Sequence, residues 1–500
     1  MPDLAEADLA ELDAISEDQL AQWLEGFAGA RVLVVGDIML DRYVAGEVRR
    51  ISPEAPIPVL RALARRRVLG GAGNVAQNVA SLGALAALVG VVGTDPAAGE
   101  IAEMLGETSA IAGWLVSIAD RPTSVKTRFM SGSHQLLRLD EEQAGPIDAD
   151  AEDGVLAAIA EALPDVAVVV LSDYGKGVLT DRVLRETIAM ARAAGKPVIA
   201  DPKRADFAAY AGVDLLTPNA QEVTQATGIA AQDDASAAAA GQAARAQAGA
   251  AAVLVTRSEK GMTLVRGDAP PLHVPTHARA VADVSGAGDT VVAALAVALA
   301  AGASLAEAAA LANVAAGIAV GKLGTATVLR AELADALHSR AAHTLDHKIV
   351  DRDTAVARIA GWRRAGLTVG FTNGVFDLIH PGHVSALAKA RATCDRLVVA
   401  LNSDASVRRL KGPSRPVQPE AARAIVMAAM GAVDLVLLFG EDTPFEVISA
   451  LLPDVLVKGA DYRPEDVVGA DVVQAHGGRL VLIPLEAGHS TTGMIARSQA

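Results

Sequence analysis

Two α/β domains, each built on a mainly parallel sheet, are expected in this chain, and two patterns predict them. First, short Val/Leu/Ile runs recur, each followed by a polar or glycine-bearing turn and an alanine-rich helical stretch. They are RVLVVGD (31–37), AVVVLSD (167–173), KPVIADP (196–202), VDLLTPN (213–219) and AAVLVTR (251–257). Continuous apolar runs, rather than alternation, belong to strands covered on both faces, hence to a parallel sheet. Second, the series stops around residue 331 in a charged, His-bearing helical segment and then restarts. LTVGFTNG (367–374), DRLVVALNSD (395–404), VDLVLLF (433–439), PDVLVKG (453–459) and GRLVLIP (478–484) form the second series. It spans about 130 residues, an ordinary domain size. The organisation expected is an acidic helical extension (1–30), a first domain (31–335), a helical linker (336–366) and a second domain (367–500).

Composition narrows the function. The 500 residues carry 44 basic and 59 acidic side chains, a net charge of −15, which argues against non-specific nucleic-acid binding or an anionic membrane surface. Aromatics make up 3% against 51% hydrophobic residues, so Ala, Val and Leu must build the cores. A single cysteine, Cys394, excludes a disulfide framework and a cysteine-built zinc site. The N-terminal stretch lacks the basic start and apolar core of a signal peptide. The longest uncharged stretch, after Asp289, is mostly alanine with a glycine inside and reads as a buried helix rather than a membrane span. A cytoplasmic protein without nucleic-acid or membrane partners is expected. The extension DLAELDAISEDQLAQWLEGF (8–27) reads as a surface helix packed through Leu9, Leu12 and Leu20.

In parallel sheets, ligands bind beyond the carboxyl ends of the strands. Asp37, Asp173, Asp201, Asn219 and Arg257 occupy those ends. The most informative segment of the first domain is Ala282-Asp283-Val284-Ser285-Gly286-Ala287-Gly288-Asp289-Thr290, which opens a long helical pattern. Gly286, Ala287 and Gly288 let backbone N–H groups approach an anion at a helix N-terminus. Asp289 can there take a proton from an attacking hydroxyl while the amides stabilise a phosphoryl group in transfer. Alone, the same residues also describe a glycine turn with an Asp N-cap. A second segment, Gly70-Gly71-Ala72-Gly73-Asn74-Val75-Ala76-Gln77-Asn78, could be taken for a dinucleotide fingerprint. That motif needs a buried strand before it, and Arg65, Arg66 and Arg67 stand there instead. Asn74 and Asn78 lie one helical turn apart, suited to sugar hydroxyls.

These two segments resemble the signatures of the ribokinase-type (PfkB) carbohydrate kinases. The resemblance implies a ribokinase-like three-layer domain with Asp289 as catalytic base and Gly286, Ala287 and Gly288 as the anion hole. It places Thr217–Glu222, with Asn219, Ala220, Gln221 and Glu222, at the ATP phosphates, and Glu222 on Mg²⁺ largely through water. Thr256 to Gly261 resembles a nucleotide-side loop, and the family pattern admits a monovalent cation. Asp37 and Asp41, in Gly-Asp-Ile-Met-Leu-Asp-Arg-Tyr, are candidates for sugar hydroxyls, or else cap the next helix. Lys126, Arg128, Arg138, Lys176 and Lys203 stand as equal candidates for a phosphate already on the sugar, or as solvated surface charges.

In the second domain, Phe371-Thr372-Asn373-Gly374-Val375-Phe376-Asp377-Leu378-Ile379-His380-Pro381-Gly382-His383 follows a strand and opens a helix. His380 and His383 are three apart and can face one anion. Gly382 lets phosphates come close, and Pro381 suits the first helical turn. Helical zinc pairs use i, i+4 spacing with an adjacent Glu, and neither is present. The segment resembles the H-x-G-H signature of the cytidylyltransferase-like nucleotidyltransferases. That implies a Rossmann-like domain in which His380 and His383 stabilise the phosphates of ATP during attack on its α-phosphate. Thr372, Asn373, Gly374, Phe376, Lys411, Arg415, Ser490, Thr491 and Thr492 would bind ATP, the last three at a helix start. Lys458 stands open between a phosphate contact and a surface charge.

From about Arg31 onward the chain resembles a family that fuses a heptose 7-phosphate kinase to a heptose 1-phosphate adenylyltransferase. The segments VVGDIMLDRY, RISPEAPIPV, LLRLD, VLSDYGKG, VTRSEKGM, VGKLGTATV and LNSDASVRRLKGPSRPV carry that match. It implies ATP in both domains, sugar phosphates as substrates, a homodimer through the kinase domain and supply of ADP-heptose for lipopolysaccharide core. The same two chemistries on another sugar phosphate, or a nucleotide-binding regulator with dead sites, are the alternatives. Asp289, Glu222, His380 and His383 standing together argue against the regulator.

Overall fold

The computed structural model describes residue 15 and residues 17–484, apart from 133, 268, 277–285, 323, 365 and 461, with backbone only at 17–18 and 339–347. Leu9, Leu12, Asp283–Ser285 and Ser490, Thr491 and Thr492 lie outside the described residues. The chain forms two compact units that meet in sequence at His338/Ser339.

The strands of the first unit are β1 (Arg31–Gly36), β2 (Ile38–Ile51), β3 (Pro58–Gly71), β4 (Leu85–Val92), β5 (Ile111–Ser117), β6 (Ser124–Ser131), β7 (His134–Glu141), β8 (Val168–Ser172), β9 (Val198–Asp201), β10 (Leu215–Leu216), β11 (Ala252–Thr256), β12 (Met262–Arg266) and β13 (Leu272–Val274). Nine of them form one sheet in the order β13-β12-β11-β10-β9-β8-β1-β4-β5. It is parallel from β11 to β5, with β12 and β13 antiparallel at one edge. Its helices are α1 (Glu17–Gly26), α2 (Ala72–Ser81), α3 (Pro96–Gly106), α4 (Ala149–Ala162), α5 (Asp181–Ala193), α6 (Ala220–Thr227), α7 (Asp234–Ala248), α8 (Ala287–Ala300), α9 (Leu305–Ala319) and the start of α10 (Arg330–Lys348).

Strand side chains alternate between faces, and β1 shows how this makes three layers. Val32 and Val34 enter a core shared with α1, α2, α3, α8 and α9. Leu33 and Val35 enter the opposite core, with α4, α5 and α7. Both faces are covered, which is why the strand runs read as unbroken apolar stretches. The uncharged stretch after Asp289 is α8, buried from Asp289 to Ala298. Among the described residues, no helix is long and apolar enough to cross a membrane. In α1, Leu20 and Leu24 are buried, as is the following Phe27, and Gln19 donates to Glu307 at 2.9 Å. The described part of the N-terminal extension is therefore a surface helix packed through Leu20, as expected, and through Leu24, with Gln19, Gln22 and Glu25 exposed.

The other four strands form a separate sheet, β3-β2-β6-β7, beside the large one. Arg65, Arg66 and the middle of β3 are exposed on it, while Val68 to Gly71 at its end are buried. The glycine run at 70–73 thus begins at the end of an antiparallel strand of the small sheet, not after a strand of the parallel one, which removes the dinucleotide reading.

The second unit has β14 (Ile349–Val350), β15 (Val369–Gly374), β16 (Arg396–Asn402), β17 (Leu435–Phe439), β18 (Val455–Gly459) and β19 (Arg479–Ile483), with α11 (Arg352–Arg364), α12 (Pro381–Arg391), α13 (Asp404–Lys411), α14 (Glu420–Ala428), α15 (Phe445–Leu451) and α16 (Ala470–Ala475). The sheet is parallel throughout, in the order β14-β17-β16-β15-β18-β19. β15 pairs with β16 on one side and β18 on the other, so strand order reverses there. Ligands of open parallel sheets bind at such a switch point. The stretch expected as a helical linker holds the edge strand β14 and the helix α11, whose Ala355 and Ile359 bury in this unit's core.

Candidate active sites

In the first unit the site begins at Gly286. Its φ of +79° sets the turn into α8, and a Cβ there would press the Asn74 amide at 3.0 Å. At Gly288 a Cβ would meet nothing within 4 Å, so that side of the first turn is open. The amides of a first helical turn have no intrahelical acceptor and favour an anion.

Asp289 is buried in this turn. Its Oδ2 accepts from the Asn74 amide and its Oδ1 from the Tyr174 hydroxyl. Burial pushes its carboxyl up to about 6; the hydrogen bonds from Tyr174 and Asn74 restrain that rise and nearby Asp41 adds to it. An ionisable base near neutral pH results. Asn78, expected beside Asn74 on the sugar, is instead fully buried between helices. Its amide donates to the Asn74 carbonyl at 3.0 Å, and its Oδ1 accepts from Thr290 at 3.0 Å.

Asp37 also has another task than the one expected. Its carboxylate accepts the backbone amides of Tyr174 (2.9 Å), Lys176 (2.9 Å) and Val178 (3.1 Å). It thereby shapes the loop that carries Tyr174 to Asp289. Asp41 is buried in an ion pair with Arg128, whose guanidinium lies 5.3 Å from the Tyr43 ring centre.

On the nucleotide side, Asn219 caps α6, accepting from Gln221 N and Glu222 N at 2.9 Å each. Glu222 returns the bond to Asn219 N at 3.1 Å and accepts from Lys203 at 3.1 Å. Ala220 and Gln221 lie in the first turn of α6. Thr256 bridges to Asn219 across the strand ends. Gly261, at φ +80°, passes so close to the Val274 carbonyl that no side chain fits. Asp201 was visible only as a strand-end carboxylate. Burial raises it well above the usual range, Asp289 and Glu222 raise it further, and Thr217 bonds to it at 3.1 Å. Arg257 turns away to an ion pair with Asp234 at 2.7 Å.

In the second unit, the site grows from the carboxyl end of β15. Thr372, Asn373 and Gly374 end the strand. A Cβ at Gly374 would stand 2.9 Å from the Phe376 ring, and Phe376 itself holds a φ of +46°. His380 precedes α12, Pro381 starts it, and the His383 amide donates to the His380 carbonyl at 2.8 Å. The two imidazoles stack with centroids 3.8 Å apart and planes 16° from parallel. Burial first, then His380, lower the His383 imidazole to about 4. Lys458 reaches Asn373 Oδ1 at 2.5 Å, which places it at the same strand end.

Arg415, expected as a phosphate clamp, is held by Asp377 at 2.7 Å. Asp377 also accepts the amides of Val417 (2.8 Å) and Gln418 (2.9 Å), tying the basic loop to the His-bearing segment. Burial would raise Asp377, but those bonds hold it below the usual carboxylate range. Lys411 is exposed at the end of α13. Arg423, unmarked in the sequence, is fully buried and donates to Gln418 O (3.0 Å), Val375 O (2.8 Å) and Asp404 (2.7 Å). Among the described residues, no group of three or more His, Cys, Asp or Glu is arranged to hold a metal ion.

Comparison with known proteins agrees with both geometries. Residues 30–332 match the pfkB family of carbohydrate kinases, and residues 371–474 match the cytidylyltransferase-like family. The Bifunctional protein HldE of Caulobacter sp. (strain K31) is 56% identical over 486 residues, 97% of this chain and 99% of that protein. That of Azorhizobium caulinodans is 56% identical over 472 residues, 94% of this chain and 98% of its own length. Among solved structures, Arabidopsis thaliana ribokinase complexed with ribose and ATP is 25% identical, with a TM-score of 0.50, over 62% of this chain and 98% of that one. Phosphofructokinase-2 of Escherichia coli shares the fold at 20% identity and TM-score 0.52, over 62% of this chain and 98% of its own.

Two outcomes are expected from this geometry. Because the Tyr174 hydroxyl lowers the Asp289 pKa, Tyr174→Phe should move the acidic limb of the phosphorylation rate, expected near pH 6, to higher pH. An unmoved limb in the pH–rate profile would separate Tyr174 from the base. His383 should titrate near pH 4 by NMR in the free protein. Bound ATP should raise that value, since an anion favours imidazolium.

Proposed function

This chain belongs to the bifunctional HldE proteins, and from that premise we propose which atoms carry its two reactions. It is an ATP-using sugar kinase and nucleotidyltransferase in one chain. Its first reaction phosphorylates D-glycero-β-D-manno-heptose 7-phosphate at C1. Its second, once the 7-phosphate has been removed, transfers adenylyl from ATP to the heptose 1-phosphate, giving ADP-heptose and pyrophosphate.

The observation that carries the kinase half is a buried carboxylate in the first turn of α8 with its pKa raised to about 6. Asp289 takes the proton of the C1 hydroxyl as its oxygen attacks the γ-phosphorus of ATP. The amides at Ala287 and Gly288 stabilise charge on the transferred group, and ADP leaves. Asn219, Ala220 and Gln221 at the start of α6, with Thr256 and Gly261, form the nucleotide side. A hard divalent cation would suit the excess negative charge here, since Asp201 feels the charges of both Asp289 and Glu222. Glu222 would hold Mg²⁺ largely through water, and when bound the ion neutralises phosphate charge. A monovalent cation belongs to the same proposal, without an assigned ligand set.

In the second unit the nucleophile is already an anionic phosphate, so no base is required. Its oxygen attacks the α-phosphorus, and the bond to the pyrophosphate leaving group breaks. His380, His383, Lys458 and the α12 N-terminus stabilise the phosphates. Asp377 and Arg423 position the loop that carries Lys411 and Arg415, while Ser490, Thr491 and Thr492 complete the reading.

The product suits lipopolysaccharide core synthesis in the cytoplasm. We further propose a homodimer through the small sheet of the kinase unit, supported by Leu63 on β3 and Leu137 and Leu139 on β7, all exposed. Light scattering should return twice the chain mass, and a monomer would contradict it.

Asp289→Asn should lower phosphorylation by about 10²–10⁴-fold while leaving adenylyl transfer to supplied heptose 1-phosphate intact. His383→Ala should lower only adenylyl transfer, by about 10²–10³-fold. With the 7-position phosphatase present, a mixture of the two variants should restore ADP-heptose formation. Loss of both reactions in either folded variant would contradict separate sites.

A further inference from the structure

Five basic side chains stood equally as partners for the phosphate that the acceptor already carries, and their surroundings separate them. Lys203 lies on the nucleotide side, bound to Glu222 at 3.1 Å. Arg128 is held on Asp41. Arg138 is half exposed and meets Asp140 at 2.9 Å, a carboxylate it shares with Lys126. Lys126 and Lys176 are the less exposed lysines, at 14% and 20% against 54% for Lys203. They come from different elements, β6 and the loop after β8, and converge on one carboxylate. Lys126 Nζ lies 2.8 Å from one Glu142 oxygen and Lys176 Nζ 2.6 Å from the other.

We propose that Lys126 and Lys176 form the subsite for the acceptor's own phosphate, with Glu142 as an internal anion that the phosphate displaces. This rests on reading the first unit as a kinase for a sugar phosphate.

Three observations support it. The fork is preformed. Arg121 donates to the carbonyls of Gln143 (2.9 Å), Gly145 (3.0 Å) and Lys176, clamping the segment after β7 to the Lys176 loop. Gly177, at φ +99°, makes the approach possible, since a Cβ there would collide with the Gly145 carbonyl. The Ile147 amide closes the same junction on Gly177 O at 3.1 Å.

The fork also stands beside the base. Asp37 Oδ2 accepts the amides of both Tyr174 and Lys176, and the Tyr174 hydroxyl rests on Asp289. One short loop therefore carries the base's partner and the lysine together. On β2, Asp41 stands opposite Lys126 in register, and its charge is felt at Asp289.

The charges suit an exchange. Two ammonium groups supply six N–H donors, and a phosphate dianion offers more charge and more acceptor oxygens than one carboxylate. Lys126 keeps a second partner, Asp140 at 3.1 Å, which holds its stem when Glu142 leaves.

The test compares KM for the heptose 7-phosphate and for the same heptose without phosphate, in the full chain. Lys126→Met and Lys176→Met should each raise KM for the phosphorylated sugar about 10- to 100-fold. KM for ATP and the slow turnover of the unphosphorylated sugar should not change. Glu142→Gln should act the opposite way, lowering KM for the phosphorylated sugar and strengthening inhibition by inorganic phosphate. Equal losses on both sugars, or a Glu142→Gln variant that behaves like the lysine variants, would overturn the subsite and leave a structural ion cluster. A wild-type chain that does not prefer the phosphorylated sugar would sink the sugar-phosphate reading and the subsite with it. A wild-type preference that survives in the lysine variants would remove only the subsite.

Discussion

One buried carboxylate organises the first unit. Taking Asp289 out of water is costly unless hydrogen bonds and dipoles replace the lost hydration. The helix start before it, the Asn74 amide and the Tyr174 hydroxyl supply that replacement. Each of these is itself held. Asn78 and Thr290 lock α2 to α8 so that Asn74 keeps its place. Asp37 gathers three loop amides so that Tyr174 keeps its own. The large sheet brings these groups together because β1, β8 and β9 are neighbours with their carboxyl ends on one edge. What burial leaves is a group that holds a proton near pH 6.

The second unit solves a different problem, that of gathering positive and dipolar groups around a polyphosphate without a base. Its fixed point is the end of β15, where strand order reverses. Asp377 and Arg423 lie just below that end and join the His-bearing segment to the basic loop. Neither is free to act on substrate. Their bonds hold the two loops in register, beside the stacked His380 and His383.

Much of this was legible along the chain. Apolar runs located β1 and β8 to β11 of the large sheet and β15 to β19 of the second unit, but not the small sheet β3-β2-β6-β7; the glycine turn before Asp289 and the spacing of His380 and His383 marked both candidate sites. Local motifs are readable because the helix start and its ligand-facing groups are neighbours in sequence. The partners of those groups are not. Tyr174 and Asp289 are separated by 115 residues and Asn74 and Asp289 by 215, so only folding reveals their contact. Strand-end carboxylates look alike in sequence, and nothing local says that Asp37 binds three backbone amides while Asp201 takes a bond from the Thr217 side chain. Arg423 sits in an ordinary amphipathic helix, and its burial depends on the Gln418 carbonyl nearby and on Asp404 and the Val375 carbonyl farther along the chain. In the N-terminal helix Leu20 was legible as a packing residue, whereas the burial of Leu24 and Phe27 depends on partners far along the chain.

Phosphorus NMR of the purified chain with ATP, Mg²⁺, pyrophosphatase and D-glycero-β-D-manno-heptose 7-phosphate tests the central claim most directly. A heptose 1,7-bisphosphate signal is predicted first, followed by an ADP-sugar diphosphate once a phosphatase for the 7-position is added. Persistence of ATP without any new sugar-phosphate signal would contradict it.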